Sequence, residues 1–262
     1  QTSNISMAKI RGKFRSIQIA STGAAGFTKA YVSKNGAAPT VTSFTDPSTG
    51  GTTFRVTGLT EETATYYVWT DHNDCSMFAV SGDADHVDCG NKYQMHQFGD
   101  SITYGGGGSP VPGAVDVLSE AAALGYVGVT AGVGGHTIAQ IETALTTYLA
   151  AMTVTSNDVA IVAAGRNNTG GAFDAAETTS YTNIINALVA KGYGKIICRG
   201  LLPSGNLSTT WPAENGSIAS SVTGIGSANE AFCAVPGLGA SSTQASGQTH
   251  PGAAGRATVA AC

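Results

Sequence analysis

The sequence predicts a chain in two parts: a small all-β sandwich with its connector over residues 1–91, then an α/β domain built on a parallel sheet over residues 92–262. Three observations carry this reading. The first ninety or so residues are rich in Thr, Ser, Val and aromatics, broken by turn signals at short intervals, with no helical period. From residue 93 onward apolar strands alternate with stretches of helical period, the pattern of a parallel sheet covered by helices on both faces. Hydrophobic residues make up 42 % of the 262 positions and charged residues only 11 %, which allows a sizeable core and excludes a disordered chain.

In the first part, Thr52–Leu59 and Ala64–Thr70 alternate apolar and polar residues, as half-buried strands should, and Asp46–Gly51 is the turn between strands. The stretch from Phe54 to Trp69 resembles the central strands of fibronectin type III modules, where an apolar residue, a Gly-Leu pair and a Tyr recur in that order. Residues 71–90 read as a polar connector carrying Asp71, His72, Asp74, Asp83, Asp85, His86 and Asp88. Their spacing matches no calcium loop, so we expect a solvated acidic linker and no metal.

In the second part, Tyr93–Phe98 is the first strand and Ala114–Leu124 a helix with Val117, Leu118, Ala121 and Leu124 on one side. Val127–Thr130 is a strand, and Ile138–Met152 a helix with Ile138, Ile141, Leu145 and Leu149 on one stripe. Asp158–Ala163 is a continuous apolar strand, expected where both sheet faces are covered. Tyr181–Ala190 is a helix, Ile196–Cys198 a buried strand, and residues 225–234 and 252–261 read as helices.

Composition removes several function classes. The net charge of −4 with no basic run argues against a nucleic-acid partner, and no apolar run approaches the ~18–20 residues of a membrane span. The chain opens at Gln1 without a signal peptide, from which we expect a processed N-terminus. Among five cysteines no CxxC pair occurs, which argues against zinc. Cys198 reads as a buried free thiol. Cys75 could pair with Cys89, and Cys233 with Cys262. Two bridges would mean an oxidising compartment and a secreted protein; five reduced thiols is the alternative.

The chemistry gathers at strand exits, where an open parallel sheet binds its ligands. Ser101 follows Gly99-Asp100 at the end of the first strand and can reach a substrate carbonyl and a base together. His250, stiffened by Pro251, is the candidate base. Gly132-Val133-Gly134-Gly135-His136 and Gly165-Arg166-Asn167-Asn168 each follow a strand, and a Gly backbone N–H or an Asn amide can stabilise an oxyanion. His136 and Arg166 sit beside those donors as candidate substrate contacts.

Together these segments resemble the SGNH (GDSL-type) hydrolase superfamily over roughly residues 93–262. Gly99-Asp100-Ser101 matches its first block, Gly135 the glycine of its second, Gly165-Arg166-Asn167-Asn168 its third (Gly-x-Asn-Asp) and His250-Pro251 the end of its last (Asp-x-x-His-Pro). The resemblance implies a flavodoxin-like three-layer α/β/α domain and a serine esterase without cofactor. Ser101 would be the nucleophile, His250 the base, and the Ser101 N–H, the Gly135 N–H and the Asn167 side chain the oxyanion donors. The superfamily includes acetylxylan-type carbohydrate esterases, lipases and thioesterases. Two positions depart from its pattern. Asn168 stands where aspartate is usual, and Gly247 stands where the triad aspartate belongs, three residues before His250. The imidazole would then be held by a backbone carbonyl, by Ser246, or by a carboxylate from elsewhere such as Glu230. Two functions compete: an esterase cleaving acyl or acetyl esters, on small substrates or acylated polysaccharide, and a catalytically impaired scaffold that binds carbohydrate or a surface.

Overall fold

The computed structural model describes residues 2–21, 29–43, 53–57, 62–70, 75–82, 87–88, 93–104, 113–168, 171–201, 210–225 and 230–233. The chain forms two compact units. One consists of Ser3–Tyr93 with Leu118–Val129, the other of Gln1–Thr2, Gln94–Val117 and Thr130–Cys262.

The first unit is mostly strand: β1 (Thr2–Ser6), β2 (Ala8–Ser21), β3 (Lys29–Lys34), β4 (Thr40–Ser43), β5 (Thr53–Thr57), β6 (Thr63–Thr70), β7 (Cys75–Gly82) and β8 (Val87–Asp88). Strands β2 to β8 make a seven-stranded sheet in the order β4-β3-β6-β2-β5, with β7 and β8 also paired to β2. Every pairing in it with a given register is antiparallel. The 14-residue β2 is its hub: Ala8–Lys13 pairs with β6 and Ser16–Ala20 with β5.

Two expectations change here. Strand β6 is not half-buried, because Tyr66, Tyr67, Val68 and Trp69 are buried in succession, which requires cover on both faces. Phe14 packs against Tyr66 with ring centres 5.5 Å apart, and Tyr31 stacks on its cross-strand partner Trp69 at 5.5 Å. The expected connector 71–90 contains β7 and β8, since Met77-Phe78-Ala79-Val80 carries an apolar strand between its acidic ends. Asp71, His72, Asp74, Asp83, Asp85, His86 and the turn Asp46–Gly51 lie outside the described residues, as does Cys89.

The second unit alternates strand and helix: β9 (Gln94–Gly99), α1 (Ser101–Tyr104), α2 (Gly113–Ala123), β10 (Val127–Val133), α3 (Ile138–Ala151), β11 (Val159–Ala163), α4 (Ala175–Lys191), β12 (Lys195–Arg199), α5 (Trp211–Ile225) and β13 (Glu230–Cys233). The unit boundary falls inside α2 and again inside β10. The strands of this unit run in the order β10-β9-β11-β12-β13, with β9, β11, β12 and β13 pairing in parallel. Even-numbered side chains Phe98, Ala160, Val162, Ile196 and Cys198 join one core cluster with Ile138, Ile141 and Leu145 of α3, Tyr181, Ile184 and Leu188 of α4, and Ile218 of α5. Odd-numbered Met95, Gln97, Val159, Ile161 and Ala163 point to the other face and are buried too. Both faces are covered, which is why β11 reads as an unbroken apolar run. Each fully buried Leu or Ile contributes on the order of 1.5–3 kcal/mol.

Helix α4 begins well before the apolar stripe at Tyr181. Asp174 caps it by accepting from the Glu177 backbone N–H at 2.8 Å, and Glu177 accepts from the Asp174 N–H at 3.0 Å. The expected helix over 225–234 is instead the end of α5 and the strand β13. Four residues are too few for periodicity to distinguish the two, and pairing with β12 decides it. The expected helix over 252–261 lies outside the described residues. At the opening end of the strands, Asp158 accepts from the Gln94 and Thr155 N–H groups, each at 2.7 Å. Buried His96 bonds the Tyr193 hydroxyl at 2.6 Å, and burial lowers its pKa despite Asp158 nearby. Cys198 is a free, buried thiol whose pKa burial pushes up to about 12. Among the described residues, no helix is long and apolar enough to cross a membrane.

Candidate active site

Ser101 sits half-buried at the carboxyl end of β9, as the first residue of α1. Register brings that exit beside the next one, because Gly99 pairs with Ala163 at the end of β11. A Cβ on Gly99 would run into the Ala163 carbonyl and the Thr103 hydroxyl, so only glycine lets β9, β11 and α1 meet this closely.

The other candidate donors lie on two neighbouring loops. Gly135 follows β10 with φ at +78°, a left-handed backbone that glycine adopts without strain. No atom lies within 4 Å of where its Cβ would stand, so conformation rather than space asks for glycine there. After β11 the chain turns through Gly165 to Asn167, whose Nδ2 donates to the His136 carbonyl at 2.9 Å. An amide carries two N–H donors, so one anchors the side chain while the other can serve a ligand oxygen. Asn168 locks the same two loops. Its Oδ1 accepts from the Ile138 N–H at 3.0 Å, satisfying the first turn of α3, and its Nδ2 donates to Glu177 at 2.6 Å. An aspartate at position 168 could accept but not donate, which gives the asparagine a local physical reason.

His136 is half-buried and lines a small, mostly apolar pocket with Phe98, Val133, Ile141, Leu145 and Tyr148. Its Nδ1 meets no hydrogen-bond partner among the described residues. Arg166 is not presented on the surface. It is 6 % exposed, its pKa lowered by burial and supported by the fields of Asp100 and Glu214. Arg199, at the end of β12, is likewise drawn down to about 10 by burial against the support of Asp100 and Tyr181. Asp100 and Glu214 are themselves buried, and burial pushes Glu214 up to about 7 with Arg166 opposing. Sequence reasoning missed this charged cluster. The available signal was an arginine directly after the apolar run Ile196-Ile197-Cys198.

The structure therefore brings Ser101, Gly135, His136, Arg166 and Asn167 to one edge of the sheet. Glu230 does not join them: it lies on the third strand from β9, paired with Ile196 rather than at the level of Arg199. His250, Ser246 and Cys262 lie outside the described residues.

A parallel α/β sheet with a serine following Gly99-Asp100 and candidate amide donors at its carboxyl edge is the arrangement of a carboxylic ester hydrolase. Residues 98–257 match the GDSL-like lipase/acylhydrolase family, and the chain belongs to that family. It resembles a family 2 carbohydrate esterase with a carbohydrate-binding domain from Corynascus thermopiles (Myceliophthora fergusii), at TM-score 0.66 and 19 % identity over 97 % of this chain and 90 % of that one. A family 2 carbohydrate esterase from Clostridium thermocellum, solved in complex with cellohexaose, superposes at TM-score 0.63 and 15 % identity over 97 % and 88 % of the two chains. An acetyl xylan esterase from the rumen bacterium Butyrivibrio proteoclasticus does so at TM-score 0.60 and 12 % identity over 97 % and 87 %. At these identities the likeness is one of fold. No match to the sequence was found among the curated proteins.

Proposed function

We propose that the protein is a serine esterase that removes short acyl groups, acetyl foremost, from carbohydrate by a Ser-His mechanism. The observation that carries this is the Asn167 amide, anchored on the His136 carbonyl next to Gly135 and on the same sheet edge as Ser101. In this reading His250 takes the Ser101 proton as Oγ attacks the ester carbonyl carbon. The carbonyl oxygen becomes an oxyanion, held by the Ser101 N–H, the Gly135 N–H and the second N–H of Asn167. Collapse breaks the ester C–O bond, and His250 returns the proton to the leaving alcohol. Water then releases the acyl group from Ser101 by the same steps. With glycine at position 247, a backbone carbonyl or Ser246 holds the imidazole, and the acid is dispensed with.

Carbohydrate is the favoured leaving side because the three structural relatives described above are carbohydrate esterases, one of them solved with cellohexaose. The N-terminal part, residues 1–91, acts in this reading as a fibronectin type III-like sandwich accessory module, with residues 92–262 as the catalytic domain. Cys233 is disulfide-bonded, which supports pairing with Cys262 and an extracellular location.

The test is hydrolysis of p-nitrophenyl acetate and butyrate by the intact protein and its Ser101→Ala variant. The variant should stay folded and lose on the order of 10³-fold or more of its turnover, with acetate preferred over butyrate. Turnover that persists in folded Ser101→Ala would sink the reading.

A further inference from the structure

We propose that Arg166 is a positioning residue, which with Asp100 fixes the turn carrying the nucleophile to the turn carrying the oxyanion amide. The proposal rests on the esterase reading above. Two facts of placement carry it. Asp100 immediately precedes Ser101, and Arg166 immediately precedes Asn167, so each charge is one peptide unit from a group assigned to the chemistry. Both are buried, at 1 % and 6 % exposure, and they leave adjacent strands whose last residues, Gly99 and Ala163, are in register.

Their surroundings make the pair demanding. Glu214 of α5 is fully buried and Arg199 at the end of β12 is 5 % exposed, so two acidic and two basic side chains share this edge. A buried charge is tolerated only while its counter-charge is held close, so a shift of either turn weakens the compensation of the other's charge. Arg166 feels Asp100 before Glu214. Since burial keeps Glu214 partly protonated near neutral pH, Asp100 is the standing partner. The Asn167 amide is thereby tethered twice: through its own bond to the His136 carbonyl, toward Gly135, and through Arg166 and Asp100, toward Ser101. Catalysis of acyl transfer depends on that second spacing, because the nucleophile and the oxyanion donors must meet one carbonyl at once. Displacement by about 1 Å can cost on the order of 10²-fold.

The experiment is a double-mutant cycle of Asp100→Asn, Arg166→Gln and the pair in the full chain, with kcat and KM for p-nitrophenyl acetate and circular dichroism to confirm folding. Each single variant should lose kcat by on the order of 10²-fold with KM within about threefold. The double variant should fall no more than about threefold below the worse single, since the tether is already cut. Arg166→Lys, which keeps the charge, should regain at least about tenfold over Arg166→Gln. Folded single variants with unchanged kcat, or losses that multiply to about 10⁴ in the double, would overturn the coupling. If Arg166→Gln does not fold, Asp100→Asn, almost unchanged in shape, carries the same test. Ser101→Ala run alongside separates the two ideas. Serine-independent turnover defeats the esterase reading and the proposal with it, whereas serine-dependent turnover with unaffected Asp100→Asn defeats the positioning role alone.

Discussion

Replacing Asn168 with aspartate, the residue usual at this place in the family's third block, should destabilise this chain. The reason is Glu177. Asn168 Nδ2 donates to a Glu177 oxygen at 2.6 Å while its Oδ1 accepts from Ile138, and Glu177 is itself held by the Asp174 N–H at 3.0 Å. Asn168→Asp keeps the bond to Ile138 but turns the other contact into two facing carboxylates. Two unit charges about 4 Å apart repel by roughly 1 kcal/mol in water and 4 kcal/mol at an effective dielectric of 20. Losing the donated hydrogen bond adds about 1 kcal/mol. Both residues are half-buried, so we expect a net loss of about 2–4 kcal/mol. In a domain of this size that lowers Tm by roughly 4–16 °C. The assay is urea and thermal unfolding at pH 7 of the wild type, Asn168→Asp, Glu177→Gln and the double variant. In the double variant a glutamine amide donates to the new aspartate, reversing the bond, and glutamine still closes the helix cap. It should therefore recover more than half of the loss. An Asn168→Asp variant within about 0.5 kcal/mol of wild type, a scatter typical of neutral surface changes, would refute the argument. So would a double variant with no recovery.

Two further predictions concern other carboxylates. Glu214 titrates at about 7 in the fold, against a reference of 4.5, because it is buried. Between those values the folded state holds a proton that the unfolded chain has released, so stability falls as pH rises from 4.5 to 7. Glu214→Gln should flatten that slope and gain on wild type at pH 8; denaturant unfolding at pH 4.5, 6 and 8 would show it, and parallel curves would contradict it. Buried His96 acts in the opposite sense, with stability lost as pH falls below about 6.5, but it is common to both proteins and cancels in the comparison. Glu230→Gln should change ester turnover by less than threefold, since β13 holds it away from the β9 exit. A drop of about 10³–10⁴-fold would instead make it the acid that orients His250.

Much of the second unit could be read from local pattern. The stripe Ile138, Ile141, Leu145, Leu149 and the unbroken run Val159–Ala163 are records of burial written at the period of a helix and a strand, and both elements form where the pattern puts them. Where local pattern was weak, the reading failed in a characteristic way. Strand β13 exists because β12 offers it an edge, β7 because β2 does, and the early start of α4 because Asp174 and Glu177 cap each other. The loop glycines and Asn167 were legible because the proposed nucleophile's exit and the proposed oxyanion donor require particular residue types.

By itself the sequence determined the class of fold and the serine, glycine and asparagine motifs, because periodicity and backbone permissiveness are properties of short stretches of chain. Only the tertiary structure decided that Arg166 is buried in the fields of Asp100 and Glu214, that Asn168 answers Glu177, and that β6 is covered on both faces. Those outcomes depend on which charge or ring stands opposite. In a low-dielectric interior a partner remote in sequence outweighs anything its immediate neighbours can specify.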